Sequence, residues 1–120
     1  YGEFSLESGY TMTQQVLTVA PRPSALFAGN NFIAIGALRA LRDAGLRVPE
    51  DLALVGFDDL PPDLVVDPFL TVAAQPAYEM GRQATELLLA RLSEETPAAY
   101  QEIVLPTVIV VRGSSGQALE

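Results

Sequence analysis

Apolar and polar positions along the chain switch repeatedly between a helical period and short unbroken apolar runs. From Ser5 to Leu17 the spacing of Tyr10, Thr13, Val16 and Leu17 predicts a helix, with Ser5 as its cap and Glu7 well placed in its first turn. Ala20-Pro21-Arg22-Pro23 ends it, because neither proline donates a backbone hydrogen bond. Ser24 to Ala28 reads as a buried strand. A second helix follows over Phe32–Ala44, capped by Asn30 or Asn31 and closed by Gly45 at the C′ position. Leu52–Phe57 and Thr71–Ala74 are further apolar runs that predict buried strands. Pro76 opens a third helix at its first position, running to Leu92, with an apolar face of Met80, Ala84, Leu87, Leu88 and Leu92 and an Arg82–Glu86 pair one turn apart. Two last strands, Glu102–Leu105 and Thr107–Val111, are separated by Pro106, and Ser114–Glu120 reads as a solvated tail. Strands that are apolar throughout and alternate with helices imply an α/β fold, a parallel sheet covered on both faces.

Composition narrows the function. Among 120 residues, 49% are apolar and the net charge is −8. All seven basic residues are arginines, scattered from Arg22 to Arg112, so this stretch lacks the clustered cations that displace counterions from phosphates. With no Cys and no His, thiol nucleophiles, imidazole bases, disulfides and zinc sites of the Cys/His type are absent. Asp58-Asp59 lacks calcium-loop spacing, and neither a nucleophile–base set nor a glycine-rich phosphate loop is present. The sequence therefore predicts a protein that is not an enzyme and uses no cofactor and no metal. No apolar run is long enough to span a membrane.

Ligands of parallel α/β sheets bind beyond the C-terminal ends of the strands. Asp58 follows a strand there; its carboxylate either caps a turn or accepts two ligand hydroxyls. Asn30 ends the preceding strand in the same position, and with Asn31 divides helix capping and ligand contact. Phe4 stands at a turn before the first helix, as a core residue or as an aromatic cleft wall. The helix over Phe32–Ala44 is apolar on more than one stripe, through Phe32, Ile33, Ala34, Ile35, Ala37, Leu38, Ala40 and Leu41. It is either wedged in a larger core or in contact with another subunit.

Three stretches in order resemble the lactose-repressor (LacI/GalR) family of bacterial repressors: Gly2-Glu3-Phe4-Ser5 through Glu7-Ser8-Gly9-Tyr10; Ala28-Gly29-Asn30-Asn31 with Ile35-Gly36-Ala37-Leu38-Arg39-Ala40-Leu41; and Gly45-Leu46-Arg47-Val48-Pro49-Glu50-Asp51 through Val55-Gly56-Phe57-Asp58-Asp59. Leu70-Thr71, Gln75-Pro76, Met80-Gly81 and Val111-Arg112-Gly113-Ser114 extend the likeness over almost the whole chain. One departure is Asn31, where the family usually has Asp, so a ligand hydroxyl there would meet an amide.

The resemblance implies the incomplete C-terminal lobe of a periplasmic-binding-protein-like module of two lobes, in a cytoplasmic, dimeric transcriptional repressor. Residues 1–75 would belong to the C-terminal lobe, 76–105 to the N-terminal lobe as a helix and its adjoining strand, and 106–120 to a return strand and tail, with crossings at Ala74–Gln75 and Leu105–Thr107. A small effector, a sugar or related metabolite, would be bound by Phe4, Asn30, Asp58 and Gln75, the first three lining one cavity. A homodimer would form through Ile33, Gly36, Ala37, Ala40 and Leu41, with Leu64 and Val65 of the loop over 61–67. Operator DNA would be bound only by a helix-turn-helix region ahead of this fragment. A periplasmic sugar-binding protein of a transporter shares the fold and is the competing reading. Separated from its lobe, the helix over Pro76–Leu92 would swap to another chain, fold back on its own sheet or stay disordered.

Overall fold

The computed structural model describes residues 3–60, 68–93 and 100–116. The chain forms two compact units, Tyr1–Ala74 with Ile109–Glu120, and Gln75–Val108. Helix α1 spans Leu6–Leu17, strand β1 Ala25–Ala28, helix α2 Asn31–Asp43, strand β2 Ala53–Phe57 and strand β3 Thr71–Ala74; helix α3 spans Ala77–Leu92 and strand β4 Val108–Val110, before a 3₁₀ turn at Gly113–Ser115. The sheet has the order β1-β2-β3-β4. Its first three strands are parallel, with Ala28 opposite Gly56 and Gly56 opposite Val72.

Local chemistry sets the helix ends. Ser5 caps α1 by accepting a hydrogen bond from the Ser8 amide at 3.1 Å. Asn30 caps α2 by accepting from the Ile33 amide at 2.8 Å. Gly45, at φ 71°, closes α2 with paired bonds, its own amide to the Arg42 carbonyl and the Leu46 amide to the Leu41 carbonyl. Pro76 is the N-cap of α3, one position earlier than expected, since its ψ of 65° is not helical.

The core of the first unit lies between α2 and one face of the sheet, where Ala28, Ala34, Ala37, Leu54, Leu70 and Val72 are buried together. Burial of each large aliphatic side chain there contributes about 1.5–3 kcal/mol. Helix α1 packs on α2 through glycines: the Gly9 Cα faces the Ile33 backbone and the Gly36 Cα faces the backbone of Leu6 and Tyr10. The Tyr10 hydroxyl donates to Asp43 at 3.0 Å and the Arg39 guanidinium lies 5.4 Å from the Tyr10 ring centroid.

The sheet is less covered than its apolar strands suggest. Along β2 burial alternates, with Leu54 and Gly56 inside and Ala53, Val55 and Phe57 only half-buried. β1, expected to be buried, is an edge strand of the sheet, and its Phe27 is 67% exposed.

In the second unit, none of the α3 residues is fully buried, and Met80, Leu88 and Leu92 of its expected apolar face are exposed. Arg82 bridges Glu86 at 2.5 Å and also pairs with Glu79. Hydrogen bonds from Arg82 and Gln83 hold the Glu79 carboxyl down at about 2. Residues 102–105, expected as a strand, carry no ladder bonds, and Ile103 and Val104 are exposed. Apolar β-branched sequence alone does not make a strand without a neighbour to bond to.

Candidate functional site

The parallel register of β1 and β2 brings two of the expected ligand residues to one end of the sheet. Asn30 and Asp58 each lie two residues beyond the matched pair Ala28 and Gly56. Asn30 is extended and its side-chain oxygen is committed to the α2 cap. The neighbouring Asn31 donates through Nδ2 to the Asp59 carbonyl at 3.4 Å, so the two asparagines tie the start of α2 to itself and to the turn after β2.

Asp58 is the one non-glycine residue at positive φ among the described residues, at 67°. The left-handed region costs most L-residues about 1–2 kcal/mol, less for Asp and Asn, and such outliers cluster at functional sites. Its amide still donates to the Ala73 carbonyl at 3.0 Å, so the backbone turns away from the sheet while anchored to β3.

Asp59 does more than occupy a turn. Its Oδ1 accepts from the Leu60 amide at 2.9 Å and from Arg112 Nη1 at 2.7 Å, while its Oδ2 accepts from Arg112 Nη2 at 2.6 Å. This planar fork holds the Asp59 carboxyl below its ordinary range, the Arg112 hydrogen bonds outweighing the opposing effect of burial. A depressed folded-state value contributes stability above the unfolded-state value, about 3.9, that is lost as pH falls through the folded one. The Asp59→Asn protein is therefore expected to show a flatter loss of stability than the parent between about pH 5 and about pH 2 in urea unfolding. Parallel curves for the two proteins would show that the fork carries no such linkage.

The other expected positions are less concentrated. Phe4 precedes the α1 cap and is 76% exposed, so it is not a core residue of this unit. Gln75 is half-buried and is the first residue of the second unit. Of the residues expected at a dimer contact, Gly36, Ala37, Ala40 and Leu41 are buried within this chain, Gly36 against α1 and Ala37 in the core. Of that set only Ile33 on α2 keeps partial exposure, and Leu64 and Val65 lie outside the described residues. Within this chain the apolar width of α2 meets two neighbours, the sheet and α1.

Two residues at the end of the chain escaped sequence reasoning. Arg112 and Ser114 were legible only as parts of one motif, with Ser114 also the start of an expected tail. In the structure Ser114 is 0% exposed, donating to the Leu54 carbonyl at 2.6 Å and accepting from the Thr71 amide at 2.8 Å. The available signal was the abrupt Arg-Gly-Ser-Ser sequence directly after an apolar strand.

Residues 2–115 match the family of periplasmic binding protein-like domains. The chain belongs to that family. Within it, the likeness to lactose-repressor regulators read from the motifs holds. The periplasmic binding protein-like domain described here is 37% identical to the transcriptional repressor CytR of Escherichia coli K12 over 114 residues, 95% of this chain and 33% of CytR. Among solved structures, it resembles the transcriptional regulator CelR in complex with cellobiose, at a TM-score of 0.83 and 39% identity over 95% of this chain and 35% of CelR. A LacI-family regulator from Enterococcus faecium with bound ribose gives a TM-score of 0.82 and 32% identity over 96% of this chain and 42% of that one. The chain thus spans about a third to two fifths of the length of these relatives.

Proposed function

We propose that the chain is the effector-sensing part of a cytoplasmic, DNA-binding transcriptional repressor, and that its effector is a sugar or related metabolite. The observation that carries this is Asp58, set in a left-handed turn at the C-terminal end of β2, beside Asn30 at the end of β1. A carboxylate there accepts hydroxyls in pairs, which suits a sugar edge. The relatives with bound cellobiose and ribose support the ligand class. Phe4 and Gln75 complete the proposed contact set, Phe4 by stacking on the apolar face of the ligand. Residues 76–105, a helix and its adjoining segment, are assigned to the second lobe of the intact protein, and the effector acts by shifting the population between arrangements of the lobes. Couplings of this kind amount to about 1–3 kcal/mol.

DNA contact is assigned to a region outside this chain, in keeping with a net charge of −8. The proposed regulator is a homodimer; of the α2 residues expected at its contact, Ile33 is the one that keeps partial exposure. Among the described residues no helix is long and apolar enough to cross a membrane.

Calorimetric titration with ribose and with cellobiose tests the site. Replacing Asp58 with Ala removes a charged acceptor and is expected to weaken binding of the recognised sugar about ten- to hundredfold. Unchanged affinity in Asp58→Ala would place the effector elsewhere.

A further inference from the structure

The turn carrying Asp58 is gripped from outside its own strand by one side chain. Arg112 is only 18% exposed at its side chain and makes three charge-assisted bonds: two to the Asp59 carboxylate and one, from Nη1, to the Leu70 carbonyl at 2.9 Å. Its backbone is fixed as well, since the Arg112 amide donates to Thr71 Oγ1 at 2.7 Å and its carbonyl accepts from the same hydroxyl at 2.9 Å. The guanidinium is thereby aimed by β3, and its fork is matched in plane by Asp59, whose Oδ1 also holds the Leu60 amide.

We propose that Arg112 is a positioning residue for the effector site, holding the turn after β2 so that Asp58 keeps its left-handed conformation. This rests on the reading of Asp58 given above. Asp58 sits between two anchors, its own amide bound to Ala73 and its neighbour Asp59 bound to Arg112. Both anchors lead to places where the chain passes between its compact units. Ala73 is next to the boundary at Ala74, and Arg112 lies three residues after the boundary at Ile109. The effector turn is thus tied to β3 and to the segment after β4, both within the first unit. Lysine does not replace Arg112, because a point ammonium lacks the planar fork.

The test follows the Asp58 amide by hydrogen exchange in the parent, Arg112→Lys and Arg112→Met, with urea unfolding of each to supply the change in global stability. Exchange at Asp58 is expected to quicken about tenfold in Arg112→Met beyond what global stability accounts for, and Lys is expected to restore only part of the protection. Titration with ribose and cellobiose adds a second readout. Arg112→Met should weaken binding in the parent and have no further effect on the Asp58→Ala background. Exchange at Asp58 that only follows global unfolding, or additive losses in the two backgrounds, overturns the positioning role. Unchanged binding in Asp58→Ala instead rejects the effector site, and the exchange result then still decides whether Arg112 holds the turn.

Discussion

Replacing Ser114 with Ala is expected to lower the unfolding free energy of the first unit by about 2–4 kcal/mol. The hydroxyl is fully enclosed and serves two strands at once, donating to the Leu54 carbonyl of β2 and accepting from the Thr71 amide of β3. Alanine fits the space but removes the hydroxyl partner of a buried N–H and of a buried C=O, and losing such a bond costs about 1–3 kcal/mol for each group. Ser115 is the control. Its hydroxyl lies 2.8 Å from Thr71 Oγ1 in a half-buried position, and Thr71 keeps the Arg112 backbone as a partner without it. Ser115→Ala is therefore expected to cost about 1 kcal/mol or less. Urea unfolding of both variants measures the difference. Equal, small losses would mean that the Gly113–Ser115 turn is only appended to the sheet.

Ser114 also marks where sequence reading stopped. The elements before it were legible because local rules and packing agree. Ser5, Asn30 and Gly45 occupy the cap positions that their side chains or backbone freedom favour, and the structure uses each of them so. The apolar runs at β1, β2 and β3 were legible as strands. Their burial was not, because hydrophobicity records what a strand is able to cover and not what lies against it. Phe27 and Val55 look alike in sequence, yet one is exposed on the edge strand β1 and the other half-buried in the interior strand β2. Ile103 and Val104 repeat the lesson, since β-branched residues form no strand until a neighbour supplies the ladder. At the candidate site, place after a strand left Asp58 open between a turn cap and a ligand contact, the family resemblance favoured the ligand, and the pairing of Arg112 was not legible at all. Its partner Asp59 is 53 residues away in sequence, and no local pattern encodes a pair of that separation.

The apolar breadth of α2, compatible in sequence with a larger core or a second subunit, meets α1 and the sheet within this chain, and that packing yields the second large expected effect. Gly36→Ala is expected to destabilise the first unit by about 3 kcal/mol or more. Helix propensity acts the other way, because Ala is favoured over Gly inside a helix by about 1 kcal/mol. Sterics decide the sign. A Cβ on Gly36 would overlap the Leu6 carbonyl oxygen and stand 2.7 Å from the Tyr10 amide nitrogen. Both are backbone atoms of α1, so no side-chain rotation relieves the clash and the two helices must separate. Separation in turn loosens the opposite contact, where Gly9 lies against the Ile33 backbone. Gly81 on α3 provides the converse, since a Cβ there meets nothing within 4 Å. Gly81→Ala is accordingly expected to stabilise α3 by about 0.5–1 kcal/mol, seen as a higher thermal midpoint of the helix signal in circular dichroism. A Gly36→Ala protein that unfolds at the parent's urea midpoint or above would show that α1 and α2 do not meet backbone to backbone. The face of α2 that carries Gly36 would then be free for a second subunit after all.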